Sequence, residues 1–376
     1  MSRPLRVLSI SLDRSLLTSG TNAGDAVARH VHLASSLGRL AMVVYSPRTG
    51  YEARRHAPNF TVEPTRSLSR VLFPIDAVRL ATRLGRAEAF DLVTCQDPFA
   101  TGIAAWRVAR RLGLPLNVQV HFDFMANEWW MQERFRHRPA AAFARWLLKR
   151  ATTVRVGTTR EREKFIAAGF APDRVFCVPV AVDVAGTPGR AQRDFRAEFL
   201  RPPYRRLVAA AGRMVDQKDF PTLLKAAALL PPDTLVVIAG DGPRRAALSA
   251  AAPPNVLLPG ALPHADVRDL FRAADVFALS SIYEGTGLVM VEAAAAKKPI
   301  VATDVAGTGD IVIPGVTGFV VPIRDAVALA ARIAELLDDP HRAAGMGRRG
   351  RDHVLATFGP AKTEAGLLEM WRRTAR

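Results

Sequence analysis

Val276-Phe277-Ala278-Leu279-Ser280-Ser281-Ile282-Tyr283-Glu284-Gly285-Thr286-Gly287-Leu288-Val289-Met290-Val291-Glu292-Ala293 decides how the rest of the chain is read. Four apolar residues make a short buried strand, a glycine-bearing loop follows, and an alanine-rich run opens a helix. Gly285 and Gly287 let a ligand approach the backbone closely. The helix N-terminus offers unsatisfied N–H groups and the positive end of a dipole, so the loop forms a phosphate cradle. Glu284 sits before the helix and Glu292 just over one turn into it. Two carboxylates flanking such a cradle can accept hydrogen bonds from sugar hydroxyls on either side of a diphosphate.

The same strand–loop–helix unit recurs outward in both directions. Strands are expected at Arg6–Ser11, Ala41–Tyr45, Leu92–Cys95, Leu116–His121, Thr153–Val156 and Arg174–Val178 in the first half. Arg206–Ala211, Thr234–Ala239, Val256–Leu258, Val276–Leu279, Pro299–Thr303 and Gly318–Val321 follow in the second. Amphipathic stretches between them include Ala26–Leu37, Thr101–Leu112, Phe220–Leu230 and Ala326–Leu337. Strand–helix–strand repetition without hairpin signals reads as α/β, with two doubly wound parallel sheets. Ala185-Gly186-Thr187-Pro188-Gly189-Arg190 is a Gly/Pro-rich link. It places a first domain at residues 1–184 and a second at 185–359, with 360–376 an amphipathic helix expected to pack back on the first. In open parallel sheets, ligands sit at the carboxyl ends of the strands, so functional residues belong in the strand-to-helix loops.

Composition agrees with two globular domains: 376 residues, 49% hydrophobic and 23% charged. The N-terminus runs straight into a strand rather than a signal-peptide core, and no apolar run reaches the roughly 18 residues that span a bilayer. Cys95 and Cys177 share no metal-ligand spacing and read as buried thiols of a reducing cytosol. The net charge is +17, and residues 1–190 hold 28 Lys/Arg against 15 Asp/Glu, which leaves +13 on that half. Such a balance fits a polyanionic partner, either nucleic acid or an anionic membrane surface. No nucleic-acid-binding motif is present. The first βα loop lacks G-x-G-x-x-G, which disfavours a dinucleotide-linked oxidoreductase.

With those residues in view, Glu284-x7-Glu292 resembles the E-x7-E motif of glycosyltransferase family 4, whose members are retaining enzymes of GT-B architecture. The resemblance extends through Ala293–Pro299, Ile300–Thr303, Ala306-Gly307-Thr308-Gly309-Asp310 and Gly315–Pro322. It covers most of the chain and is most specific over residues 207–323. It implies two Rossmann-like domains facing a cleft, the first binding acceptor and the second a nucleoside-diphosphate sugar. Carried over, Glu284 touches the donor sugar and Glu292 the ribose, while Gly285, Thr286, Gly287 and Leu288 line the diphosphate. Upstream, Ala211-Gly212-Arg213-Met214-Val215-Asp216-Gln217-Lys218 is similar to the family's strand-to-helix loop, in which Arg213 and Lys218 neutralise the departing diphosphate. Gly240-Asp241-Gly242-Pro243 and Gly260 match the loops near the base, although Gly242 also reads as a plain turn glycine.

In the first half, Val118-Gln119-Val120-His121-Phe122-Asp123 is similar to the family's catalytic-side loop. His121 then lies near the donor sugar, and Asp123 is a site residue or a partner orienting His121. Gly20 and Gly24 fall where the family has a glycine loop near the phosphates, and Val178–Asp183 resembles the turn closing the first domain. Thr286 for the usual Phe, Ser280 for Pro, Ala306 for Gly, Asp310 for Glu and Ala181 for Gly or Asn are departures, and Thr286 bears on donor identity. No D-x-D occurs, and the Arg213/Lys218 pair takes the place a metal would have. No metal and no cofactor beyond the nucleotide-sugar co-substrate are therefore expected.

Phe122, Phe124, Trp129, Trp130, Phe135, Phe143 and Trp146 are interleaved with Arg134, Arg136, Arg138, Arg145, Lys149 and Arg150. Aromatic anchors beside cations suit an anionic bilayer; a core helix with solvated arginines is the alternative. The expected activity is transfer of a sugar from a UDP- or GDP-sugar to a lipid-linked or membrane-proximal glycan, in assembly of a cell-envelope polysaccharide. The expected location is the cytoplasm, at the inner membrane face. A sugar-nucleotide epimerase or hydrolase on this fold, or transfer to a soluble small molecule, are the alternatives.

Overall fold

The structure is a computed structural model that describes residues 3–18, 24–125, 127–182 and 192–376. Gly20 and the 185–190 link fall outside the described residues. The chain divides into two compact units. One is Met1–Gly157, Glu161–Val178 and Glu364–Arg376; the other is Thr158–Arg160 with Pro179–Thr363.

The first unit holds β1 (Arg6–Ser11), α1 (Gly24–Ser35), β2 (Arg39–Val44), β3 (Arg54–Ala57), β4 (Phe60–Pro64), α2 (Phe73–Ala87), β5 (Leu92–Cys95) and α3 (Ala100–Leu112). It continues with β6 (Leu116–Gln119), α4 (Glu128–Glu133), α5 (His137–Leu148), β7 (Thr153–Val156), α6 (Thr159–Ala167) and β8 (Val175–Cys177). Its sheet runs β3-β4-β2-β1-β5-β6-β7-β8. Val7, Leu8, Ile10, Leu92, Val93, Val118 and Val156 are fully buried, as strands covered on both faces require.

One expectation is overturned here. β3 and β4 form an antiparallel hairpin across Pro58-Asn59, where no hairpin had been read. β4 carries the period-2 signal, burying Phe60 and Val62 while Thr61 and Glu63 stay partly exposed. β3 has no apolar face. Arg54 and Arg55 ride its exposed edge, a charged edge strand that discourages further pairing. Asn59 holds the turn by donating from Nδ2 to the carbonyls of Ala34 and Leu37, both at 2.7 Å.

The second unit contains α7 (Phe195–Phe199), β9 (Arg206–Ala211), α8 (Phe220–Ala227), β10 (Thr234–Ala239), α9 (Arg245–Ala251), β11 (Val256–Gly260), α10 (His264–Ala273), β12 (Val276–Leu279) and α11 (Leu288–Ala295). β13 (Ile300–Thr303), α12 (Thr308–Ile311), β14 (Gly318–Val321), α13 (Ala326–Asp338) and α14 (Pro340–Phe358) complete it. Its sheet is β11-β10-β9-β12-β13-β14, parallel throughout. The last helix, α15 (Pro360–Thr374), returns to the first unit. There Leu367, Met370 and Trp371 join the core beside β1, β2 and β4. The Trp371 indole N–H donates to Asn117 Oδ1 at 3.3 Å, which satisfies two buried polar groups at once.

Both sheets change strand order at a definite place. Neighbours diverge between β1 and β5 in the first sheet and between β9 and β12 in the second. At such a switch point the loops leave in opposite directions and open a crevice above the strand ends. The loops Gly212–Asp219 and Ser280–Gly287 leave β9 and β12, the two strands flanking the second crevice.

The cysteine expectation is half corrected. Cys95 is buried on β5, and burial pushes its thiol pKa well up; Cys177, at the end of edge strand β8, is exposed. A β-like run shows period but not which strand ends up outermost.

Candidate functional site

The loops after β9 and β12 are tied together through backbone and side chains. The Ile282 amide donates to the Gln217 carbonyl at 2.9 Å, and Gln217 Nε2 donates to the Tyr283 carbonyl at 2.9 Å. Ser280 Oγ donates to the Lys218 carbonyl at 2.9 Å. From β13, Thr303 Oγ1 donates to the Ser281 carbonyl at 2.6 Å. Two loops that sequence motifs identify separately are thus one rigid platform.

On this platform Lys218 Nζ donates to Glu284 Oε1 at 2.5 Å, and Ser281 Oγ donates to the same oxygen at 2.7 Å. Both side chains are largely out of water, at 14% and 9% exposure. A pair this dry is held mainly by mutual compensation, since either charge alone would bear a desolvation penalty of several kcal/mol. Arg213, earlier in the same loop, is exposed, and its guanidinium has no hydrogen-bond or ion-pair partner among the described residues. The expected cation pair therefore splits. Lys218 is engaged with the expected sugar-binding carboxylate, while Arg213 presents its guanidinium to solvent.

Gly287 caps α11 with φ 69° and ψ 53°, a left-handed conformation that costs glycine little. No side chain caps this end; the Met290 amide donates to the Gly287 carbonyl at 2.9 Å, which leaves the Leu288 and Val289 N–H groups of α11 for a ligand. Thr286 is buried and Leu288 partly so. The loop's shape is enforced from outside: a Cβ on Gly307 would lie 2.4 Å from both the Gly285 and Thr286 carbonyl oxygens. Gly242, at φ 157°, sits against the Met214 backbone, where a Cβ would come within 2.5 Å of the carbonyl oxygen. It is therefore required by the close approach of the β10 and β9 loops, whatever else it does.

Glu292 has a partner that motif reading missed. His264 Nε2 donates to Glu292 Oε1 at 3.1 Å, and Arg268 donates to His264 Nδ1 at 3.1 Å. Arginine has only donors, so Nδ1 must accept and the proton sits on Nε2. The chain Arg268–His264–Glu292 orients one carboxylate oxygen and leaves the other to accept from a ligand. Pro263-His264 at the start of α10 carried no signal pointing to α11, because the contact joins residues 28 apart.

In the first unit, His121 follows β6, one strand beyond the crevice. Its ring is exposed, yet desolvation by the protein around it, and next the positive charge of Arg155, bring its pKa down to about 3. Solvent at the exposed edge returns part of that shift; the imidazole is neutral at pH 7 in either case. Arg155 is buried on β7, donating from Nε to the Val178 carbonyl and from Nη1 to Gln119 Oε1, both at 2.7 Å. Asp123 is buried and accepts from Lys164 Nζ of α6 at 2.6 Å, while its carbonyl accepts from Asn127 Nδ2 at 2.8 Å. Asp123 thus ties the His121 loop to α6, and the charge acting on His121 is that of Arg155 rather than Asp123. Gly24 begins α1, next to the switch point.

The aromatic–basic segment divides in two. Phe122, Phe124 and Trp130 pack with Phe99, at ring separations of 5.5 to 6.2 Å, as an interior cluster. Phe124 and Trp130 are buried, so neither is a surface anchor, contrary to the sequence expectation. Phe135 stands 93% exposed, and Trp129 and Trp146 are exposed as well. No helix among the described residues is long and apolar enough to cross a membrane.

Two parallel-sheet units with paired crevice loops and a Glu-x7-Glu helix define the GT-B class of glycosyltransferase. The family model "Glycosyl transferase 4-like domain" matches residues 26–181, and "Glycosyl transferases group 1" matches 191–353. Together they span most of the chain, which belongs to this glycosyltransferase family. The D-inositol 3-phosphate glycosyltransferase of Mycolicibacterium gilvum is 38% identical over 58% of this chain and 51% of its own. The α-maltose-1-phosphate synthase of Mycolicibacterium smegmatis is 32% identical over 54% of this chain and 58% of its own. This chain thus spans little more than half the length of those two relatives. The Anabaena protein HepE, crystallised with UDP and glucose, superposes over 97% of this chain and 98% of its own with TM-score 0.74 at 18% identity, a likeness of fold.

Proposed function

We propose that this protein is a retaining, metal-independent glycosyltransferase that takes a sugar from a nucleoside-diphosphate donor. The observation that carries the reading is the Lys218–Glu284 pair beside the open N-terminus of α11, with Arg213 exposed next to it. A diphosphate on the α11 N–H groups would be met by Arg213 and would compete with Glu284 for Lys218. Glu284, partly released, would accept from sugar hydroxyls, and the free oxygen of Glu292 from ribose hydroxyls. Fixed cations at the leaving group stabilise the charge that grows as the glycosidic C–O bond breaks, the role a divalent ion has elsewhere.

No carboxylate at the platform is placed as a nucleophile, which favours front-face attack with the departing phosphate accepting the acceptor's proton. Neutral His121 is suited to hydrogen-bonding a sugar hydroxyl rather than pairing with phosphate as a cation. The basic first half and exposed aromatics support an acceptor that is lipid-linked or membrane-proximal, as in envelope polysaccharide assembly at the inner face of the cytoplasmic membrane.

Calorimetric titration with UDP, GDP and ADP, for wild type and Glu292→Ala, tests the donor site. Micromolar binding of one nucleotide, weakened at least tenfold in the variant, is expected. A folded protein that binds none of the three would remove the donor assignment. Proton NMR of the product, showing the donor's anomeric configuration kept, separates retention from inversion, and sugar release without an acceptor would favour a hydrolase.

A further inference from the structure

Among the described residues, the densest exposed apolar stretch in the first unit is not the aromatic one. Leu68, Val71, Leu72 and Ile75 are all exposed, Leu68 at 70% and Val71 at 85%. They cluster where the chain leaves β4 and enters α2. Leucine, valine and isoleucine side chains cost free energy when held in water, and four within eight positions make a patch rather than scattered surface residues.

Arginines surround this patch. Residues 66–87 contain Arg66, Arg70, Arg79, Arg83 and Arg86 against a single carboxylate, Asp76. Arg79 and Asp76 approach only to 3.9 Å, and Arg70 lies over the Tyr45 ring at 5.6 Å. Arg66, Arg79 and Arg83 line a hollow of about 440 Å³ between the end of β4 and α2, together with Glu63, Asp76 and Leu80.

The surface continues sideways. α2 packs on α3, whose exposed Arg107, Arg110 and Arg111 have no carboxylate on the same helix. α3 meets α5 through an edge contact of Trp106 with Trp146 at 5.1 Å, and Arg150 covers Trp146 at 3.9 Å. One helical layer therefore carries cations throughout. Exposed apolar groups stand at the entrance to α2 and again at Phe135, just before α5.

We infer that the α2 entrance, Leu68 to Ile75 with Arg66, Arg79 and Arg83 behind it, is a docking surface for an anionic phospholipid bilayer. The apolar side chains enter the headgroup–acyl boundary, and the arginines meet lipid phosphates. A polar soluble polyanion would satisfy the arginines but leave Leu68 and Val71 in water, whereas a bilayer interface takes both. The inference deepens the membrane-proximal acceptor reading and rests on it for its purpose: docking by this edge would hold the first unit's acceptor side against lipid.

Flotation with phosphatidylcholine vesicles, with and without phosphatidylglycerol, tests this on the full chain. Wild type should bind only the anionic vesicles. Leu68→Ser/Val71→Ser/Ile75→Ser should weaken that binding at least tenfold. Arg79→Gln/Arg83→Gln should weaken it about 25-fold at 0.1 M salt, at roughly fivefold per cation. All five substituted positions are exposed, and circular dichroism with nucleotide calorimetry on the same preparations shows whether fold and nucleotide site are kept. No anionic-vesicle binding by wild type, or unchanged binding in both variants, overturns the docking surface. A wild-type dimer that the apolar variant converts to monomer would make the patch a contact between copies and overturn it too. Wild type that binds anionic vesicles but none of UDP, GDP and ADP would instead sink the transferase reading.

Discussion

Replacing Lys218 with methionine should destabilise the second unit by about 3 kcal/mol, because it leaves the Glu284 carboxylate in place with its counter-charge removed. Breaking one side of a buried ion pair costs about 3–5 kcal/mol in general. Here the low end applies: Ser281 Oγ still donates to Oε1, and both partners keep a little solvent contact. For a unit of this size that loss lowers the melting temperature by about 6–12 °C. Urea unfolding and calorimetric melts of wild type, Lys218→Met, Glu284→Gln and the double variant close a thermodynamic cycle. The double variant should lie nearer wild type than Lys218→Met does, since two neutral groups of similar shape need no compensation. A loss under about 1 kcal/mol in Lys218→Met, with no recovery in the double variant, would show that the pair is solvated and that the dry platform is misread.

Two further outcomes follow from the geometry. His121 has a folded pKa below that of the free side chain, so the unfolded chain binds the extra proton first. Its contribution to stability is present above about pH 6.5 and is lost as pH falls toward 3. Its imidazole carbon-bound protons should show no titration by NMR between pH 8 and pH 5, and a midpoint near 6.5 would refute the desolvated, Arg155-opposed setting. Gly307→Ala should lose about 2 kcal/mol or more and weaken nucleotide binding at least tenfold, because its Cβ must push the Gly285 and Thr286 carbonyls away from 2.4 Å contacts. A stable Gly307→Ala protein binding nucleotide as wild type does would show that the loop is not held by that contact.

The strands were legible because parallel strands under two helical layers are continuous apolar runs, a signal contained in four to six adjacent residues. Leu92–Cys95, Thr153–Val156, Arg206–Ala211, Thr234–Ala239, Val276–Leu279 and Gly318–Val321 begin and end where the apolar runs do. The crevice loops were legible for a related reason, since Gly-rich turns and helix starts are local chemistry. β3 was not legible: its Arg54-Arg55 edge has no periodicity, and only its pairing with β4 makes it a strand. Phe124 and Phe135 look alike as letters, and packing alone put one in a ring cluster and the other in solvent.

What the sequence by itself determined is the alternation of elements, the loops that bear chemistry and the excess of positive charge on the first half, because each depends on residues close along the chain. What only the tertiary structure decided is which groups those residues meet. Lys218 meets Glu284 across 66 positions, and His264 meets Glu292 across 28. Leu68 and Val71 stay mostly in water, which makes them a surface. Those outcomes depend on which strands become neighbours and how densely helices cover them, and both are set by burial of the whole chain rather than by any one segment.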